Sequence, residues 1–294
     1  MVNLNSIVAA TDLSAPARHA VERAALVASG LGARLTLAHV ANRAPLERLR
    51  QLLAGSDESF ERELLAQLHE TMQALGEAVH RRYGVAPSLS LASGELLPGL
   101  LAQADPLATD LLVLGARGSS FLRHILLGST AERLLSSARC PVLVVRQPPH
   151  EAYGHVLVPV DFSPISTRTL ALAAALAPDA VMTVIHAYEV PFEGQLRYAG
   201  VEESRIEHYR ATAAVEARAR LEQQIEAAGL DRRRTRALAV HGDVSQRILE
   251  QEQESDCDLI VVGKHGEGMF EELLLGSTTK HILAESQGDV LVAL

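Results

Sequence analysis

The sequence has no tryptophan, and aromatic residues make up 3% of its 294 positions. A core of that composition must be built from Leu, Val, Ile and Ala, as in parallel sheets covered by helices on both faces. Only two cysteines occur, Cys140 and Cys257, far apart and each beside a strand-like run ("RCPVLVV", "DCDLIVV"). That excludes a disulfide framework and a cysteine metal centre, and it fits buried thiols in a reducing compartment. No apolar run approaches the roughly 18 residues that a membrane span requires. The start, "MVNLNSIVAATD", lacks a basic segment followed by a long apolar stretch, so no secretory signal is visible and a cytoplasmic location is expected. Basic residues are outnumbered, 27 Lys and Arg against 36 Asp and Glu, for a net charge of −9. That balance repels a nucleic-acid backbone, so no nucleic-acid partner is expected. The densest basic run, "DRRRTR" at Asp231–Arg236, reads as a solvated turn leading into a strand.

Several site motifs are missing as well. There is no G-x-x-x-x-G-K-[ST], no G-x-G-x-x-G on the first strand–helix turn and no G-x-S-x-G elbow. No His, Cys and carboxylate cluster has metal-ligand spacing.

What the chain does have is an internal repeat. Gly94, Gly115, Gly118, Gly128 and Ser129 recur 148 positions later as Gly242, Gly263, Gly266, Gly276 and Ser277. "TDLLVLG" recurs as "CDLIVVG", and "SIVAATDLS" matches "HVLVPVDFS", which sets Asp12 against Asp161. A repeat of this length is a duplicated domain. The expected division is residues 1–146 and 155–294, with 147–154 as a linker broken by two prolines and a glycine. Within each half, short apolar runs alternate with helical periods. The runs predict strands at Ile7–Ala10, Leu35–Val40, Ser88–Ala92, Leu111–Leu114 and Val142–Val145. In the second half they fall at Val156–Val160, Val181–His186, Arg236–Val240, Leu259–Val262 and Val290–Ala293. Helices are expected at Ala15–Ser29 behind the cap Ser14, within Pro45–Arg82 as one broken helix or two, and at Leu96–Ala104 and Ser129–Ala138. The class is therefore α/β, with two tandem doubly wound parallel sheets of five strands, helices on both faces and ligands at the carboxyl ends of the strands.

The chemistry concentrates at one spacing: Gly, two residues, Gly, nine residues, then Gly-Ser-Thr. Gly115, Gly118, Gly128, Ser129 and Thr130 carry it first; Gly263, Gly266, Gly276, Ser277 and Thr278 carry it again. Three fixed Gly and a Ser or Thr arise by chance at roughly one start in 25,000, so two copies after matching strands indicate one backbone geometry used twice. Glycines admit positive φ and close approach of a ligand. Gly-Ser at a helix start offers amide N–H groups to an anion, and the serine hydroxyl can cap the helix or meet a phosphate oxygen. The bland alternative is that these glycines only shape turns. Asp12 and Asp161 follow the first strand of each half at the ligand edge; Asp is also simply favoured at helix starts. His39 and His186 end the second strands and read as core or strand-edge residues.

These motifs resemble the universal stress protein family, over nearly the whole chain, as two tandem family domains. The glycine spacing matches that family's ATP-binding motif. The resemblance implies the strand order 3-2-1-4-5 and ATP accompanied by Mg²⁺ or Mn²⁺, with the metal's protein ligands unassigned. It assigns an adenine-nucleotide site to Asp12 with Val40, and to Asp161 with Ala187. It also points to the position two before each Asp, often Pro in the family: Pro159 fits, and Ala10 departs. Inside the nine-residue stretch Arg123 and His124 stand where Glu271 and Glu272 stand in the second copy, so tighter ATP binding is expected in the first half. The family's dimers, joined through their last strands, imply an intramolecular pairing of the two halves and leave room for a homodimer. The function so implied is ATP-dependent regulation under stress without vigorous catalysis. A slow ATPase or self-phosphorylating enzyme, and a structural adaptor with vestigial sites, are the alternatives.

Overall fold

The structure, a computed structural model, describes residues 2–42, 58–104, 109–116, 129–265 and 275–294, except the side chains of 58–61, 103–104 and 129–130. The chain divides into two compact units, Asn3–Ala152 and Tyr153–Leu294. In the first, β1 (Ser6–Ala10), α1 (Ala15–Leu31), β2 (Arg34–Asn42), α2 (Glu58–Tyr83), β3 (Ser88–Gly94), α3 (Leu96–Ala104), β4 (Leu111–Gly115), α4 (Ser129–Ser137) and β5 (Val142–Val145) follow in order. In the second come β6 (His155–Pro159), α5 (Pro164–Leu176), β7 (Val181–Tyr188), α6 (Glu193–Tyr198) and α7 (Glu203–Ala227). β8 (Thr235–His241), α8 (Val244–Glu254), β9 (Leu259–Gly263), α9 (Ser277–Glu285) and β10 (Asp289–Ala293) complete it.

Each unit builds its own parallel sheet, β3-β2-β1-β4-β5 in the first and β8-β7-β6-β9-β10 in the second, so both have the order 3-2-1-4-5. The reason is in the residue pattern. β1, β4 and β5 are runs of Ile, Val, Leu and Ala buried on both faces, whereas β3 and β8 at the edges are only half-buried. α1 turns Ala17, Ala20, Val21, Ala24 and Ala28 inward at helical spacing, and those small side chains let it lie close on the sheet. It starts where Ser14 accepts from the Ala17 N–H (3.4 Å) and ends at Gly32, whose φ of 66° is the left-handed conformation that terminates helices. Of the Pro45–Arg82 region, the structure describes the helix from Glu58; 43–57 lie outside the described residues.

A second pair of repeated carboxylates holds each sheet at its opposite end. Asp110 Oδ2 accepts from the N–H groups of Asn5 (2.8 Å) and Ser6 (3.0 Å). Its counterpart Asp258 accepts from Gly154 (2.8 Å) and His155 (3.2 Å). Each Asp stands just before the fourth strand of its unit and satisfies donors at the start of the first, orienting the central strand pair. Beside Asp258, burial pushes the Cys257 thiol up to about 12, and it donates to Leu259 O (3.0 Å). Cys140 is half-buried, contrary to the expectation that both thiols are enclosed. Reaction with an aromatic disulfide at pH 8 is expected to label Cys140 in the folded protein and Cys257 only after unfolding; fast labelling of Cys257 in native protein would contradict the burial argument. Among the described residues no helix is long and apolar enough to cross a membrane.

Candidate functional site

The turn after the first strand is built alike in both units. Thr11 N–H donates to Ala38 O (2.9 Å), and Val160 N–H donates to Ile185 O (2.9 Å), so the chain stays sheet-bonded one residue past each strand. His39 Nδ1 then donates to Thr11 O (2.7 Å) and His186 Nδ1 to Val160 O (2.8 Å). These histidines clamp the turns from within β2 and β7, which run on to Asn42 and Tyr188, and so do not end the strands as expected. Next, Leu13 and Phe162 both take φ 65°, a left-handed conformation that costs a residue with a side chain about 1–2 kcal/mol. In the second unit a stack holds that residue, with the Phe162 ring centroid 4.3 Å from that of His186 and the Arg220 guanidinium 4.0 Å from it.

The turn fixes the carboxylates between strand and helix. Asp12 Oδ1 accepts from Ser14 N–H (3.0 Å). Asp161 Oδ1 accepts from Ser163 N–H (3.0 Å), Ser163 Oγ (2.5 Å) and Ser166 Oγ (2.7 Å). Asp161 thus serves the helix start and the ligand edge together. Asp161→Ala is expected to cost about 1–2 kcal/mol in urea unfolding without any ligand, because the turn ahead of α5 loses its bond to Ser163 N–H and two hydroxyl donors lose their acceptor; an unchanged midpoint would remove this structural role.

At the carboxyl end of the second sheet lies a cleft of about 260 Å³. Pro159, Asp161 and Ala187 line it from one side; Gly263, Gly276, Ser277 and Thr278 line it from the other. Seven of the second half's eight expected positions therefore meet in one concavity. The eighth, Gly266, lies outside the described residues, as do Glu271 and Glu272. Behind them Ile185, Val244, Ile248 and Val262 form an apolar wall. Asp161 is the carboxylate of the described lining. The described residues contain no group of three or more metal-ligating side chains. A metal held by one carboxylate and a ligand's phosphates, a common arrangement for Mg²⁺, is compatible with that donor set.

The glycine loop departs from expectation in three ways. Neither Gly263 nor Gly276 takes positive φ; Gly276 has φ −58° and ψ 152°, which any residue can adopt. Among the repeated glycines, positive φ is found at Gly94 (150°), which ends β3, and at Gly242 (130°), just past β8. Gly263 is needed for packing instead: a Cβ there would stand 3.1 Å from His265 O and 3.2 Å from the Ile165 methyl. Secondly, the Gly276 amide is not open, because it donates to Lys264 O (2.9 Å). Thirdly, Gly276 itself is the N-cap of α9, so Ser277 is the first helical residue and its hydroxyl does not cap. The N–H groups of Ser277, Thr278 and Thr279 then open the helix with no acceptor among the described residues. Thr279 Oγ1 donates to Gly263 O (2.7 Å), tying that opening to the end of β9. His265 lines the same cleft, and among the described residues its two buried ring nitrogens have no hydrogen-bond partner.

In the first unit Ala10 ends β1, Val40 lies buried in β2 and Gly115 ends β4, which places all three with Asp12 at the same sheet end. Gly118, Arg123, His124 and Gly128 lie outside the described residues; Ser129 and Thr130 begin α4, and their side chains are not described. Val244 and Ile248 were missed in the sequence, although their i,i+4 spacing on α8 is the signal of a shared helix face.

A profile of the universal stress protein family matches residues 3–146 and again 152–293. A universal stress protein of Mycobacterium tuberculosis is 29% identical over 251 residues, 78% of this chain and 74% of that protein. One of Mycobacterium bovis is 28% identical over 188 residues, 63% of this chain; the match spans only 61% of that relative's length. Among solved structures, a universal stress protein from Archaeoglobus fulgidus shares the fold with TM-score 0.70 at 20% identity, over 99% of this chain and 98% of that one. A functionally unknown protein of Pseudomonas aeruginosa has TM-score 0.63 at 21% identity, over 99% and 92%.

Proposed function

We propose, since the chain belongs to the universal stress protein family, that it is a stress-response protein regulated by ATP bound at the carboxyl ends of its sheets. The observation that carries this is the convergence of Asp161, Ala187, Gly263 and the opening of α9 on one cleft. The chemistry suits the ligand. Ile185, Val244 and Ile248 offer a base an apolar wall, while the open amides of Ser277, Thr278 and Thr279 and the positive end of the α9 dipole suit phosphates. The buried ring of His265 gives a donor to the same anion. A Mg²⁺ or Mn²⁺ ion arriving with the nucleotide would be held by its phosphates and Asp161, and would neutralise their charge. The first half is assigned a site of the same kind at Ala10, Asp12, Val40, Gly115, Gly118, Gly128, Ser129 and Thr130, with the protein acting in the cytoplasm.

Equilibrium dialysis of the full chain against radiolabelled ATP with Mg²⁺ tests this. Saturable binding with slow or no release of ADP is expected. No binding at millimolar ATP would leave a structural adaptor, and steady turnover would establish an ATPase.

A further inference from the structure

We propose that the open edge of β8 is a docking site for an acidic peptide, added to the second sheet in extended conformation. β8 ends the strand order of its unit and pairs with β7 alone within it. At one end of this ladder Met182 N–H donates to Arg234 O (2.7 Å), and at the other Gly242 N–H donates to Tyr188 O (3.0 Å). Residues along a parallel strand turn their peptide groups to alternate sides. Positions 234 to 242 that share the parity of Arg234 and Gly242 therefore bond to β7, and Thr235, Ala237 and Ala239 direct theirs outward. Among the described residues nothing bonds to those outward groups. The strand is not shielded: it is half-buried throughout, with Arg236 exposed.

A groove of about 460 Å³ runs beside this edge, formed by Ala214, Arg218 and Glu222 of α7 and by Thr235 to Ala239 of β8. Charge selects its occupant. Arg218 and Arg236 face one carboxylate there, Glu222, and among the described residues neither arginine makes an ion pair. In the adjoining basic turn Arg232 pairs with Glu226 (3.0 Å) and Arg234 with Asp179 (3.2 Å), while Arg233 makes no ion pair among the described residues. Arg218 and Arg236 are the cations that line the groove itself and face an incoming strand. Backbone hydrogen bonds supply the affinity of such an addition, and charge-assisted bonds to carboxylates supply its selectivity. The basic run at Asp231–Arg236, an exposed turn that leads into β8 as expected, borders this surface.

Two fluorescein-labelled octapeptides, alternating Val with Glu and Val with Lys, are the probes, titrated by anisotropy with the full chain. The Glu peptide is expected to bind at least about tenfold tighter than the Lys peptide, and to slow amide exchange at Ala237 and Ala239. Ala237→Pro removes an outward N–H without touching the β7 ladder and is expected to weaken binding about tenfold. Arg218→Glu with Arg236→Glu, at exposed positions that the fold does not need, is expected to reverse the preference. Failure of the Glu peptide to bind, or an equal affinity for both peptides, overturns the proposal. Unchanged binding by folded Ala237→Pro overturns strand addition, and indifference to the double reversal overturns the acidic partner.

Discussion

Replacing Gly276 by valine is expected to lower the affinity of the second site for ATP by about a hundredfold, close to 2.8 kcal/mol, while leaving the protein folded. The position separates ligand from scaffold unusually well. A Cβ there would meet Lys264 O at 3.5 Å, His265 Cα at 3.7 Å and Thr279 Oγ1 at 3.8 Å, all ordinary contacts. The backbone angles need no glycine. Gly276 lines the cleft beside the open amides of α9, and a valine there is expected to take up space at the proposed phosphate site. Gly276→Ala, with one methyl, should give a smaller loss of about tenfold. Gly263 makes the contrasting control, because a Cβ there would press on the His265 carbonyl at 3.1 Å and Ile165 at 3.2 Å, so substitution is expected to lower stability as well as binding. ATP binding by the full chain, measured beside urea unfolding, separates the two effects. A Gly276→Val protein with wild-type affinity and stoichiometry would mean that the cleft is not the phosphate site.

Glu252→Ala is expected to destabilise the second unit by about 3 kcal/mol. Glu252 is 3% exposed on α8, and its Oε1 accepts from Ser286 Oγ (2.7 Å), Gln287 N–H (3.0 Å) and Gly288 N–H (2.8 Å). Truncation takes the acceptor from the Gln287 and Gly288 N–H groups in the loop between α9 and β10 and leaves Ser286 Oγ only Gly288 O at 3.1 Å. Gly288 makes the approach possible, since a Cβ there would stand 3.2 Å from that oxygen and 3.1 Å from Cys257 O. Glu252→Gln keeps one acceptor but loses its charge, and should cost about 1–2 kcal/mol. The carboxylate lies at the opposite end of the strands from the cleft, so ATP affinity should not follow the stability loss. A urea denaturation series showing less than about 1 kcal/mol for the alanine variant would refute this account. In the register of the repeat, Ala104 occupies the corresponding position, so this bond is a feature that the halves do not share.

The fold was legible because two-sided burial writes itself as runs of Val, Leu and Ile. Leu111 to Leu114 and Val142 to Val145 could hardly be anything but strands buried on both faces, and the second unit repeats them. The expected strands fell short where polarity misleads: β2 continues to Asn42 and β7 to Tyr188, since pairing with an edge strand needs backbone rather than apolar side chains. The positions around the cleft were legible through their repetition. Their local chemistry was not. "GST" does not say which residue caps the helix, and only the bond from Gly276 N–H to Lys264 O shows that the glycine amide is occupied. Asp110 and Asp258 were visible as repeated letters, but their partners lie about a hundred residues away and leave no local trace.

The two histidine clamps fix a tautomer as well as a turn. A carbonyl oxygen can only accept, so His39 and His186 must each carry hydrogen on Nδ1 to hold Thr11 O and Val160 O. In the neutral ring that leaves Nε2 as the acceptor, so the backbone of the turn that presents Asp12 or Asp161 also decides which face of each imidazole donates and which accepts.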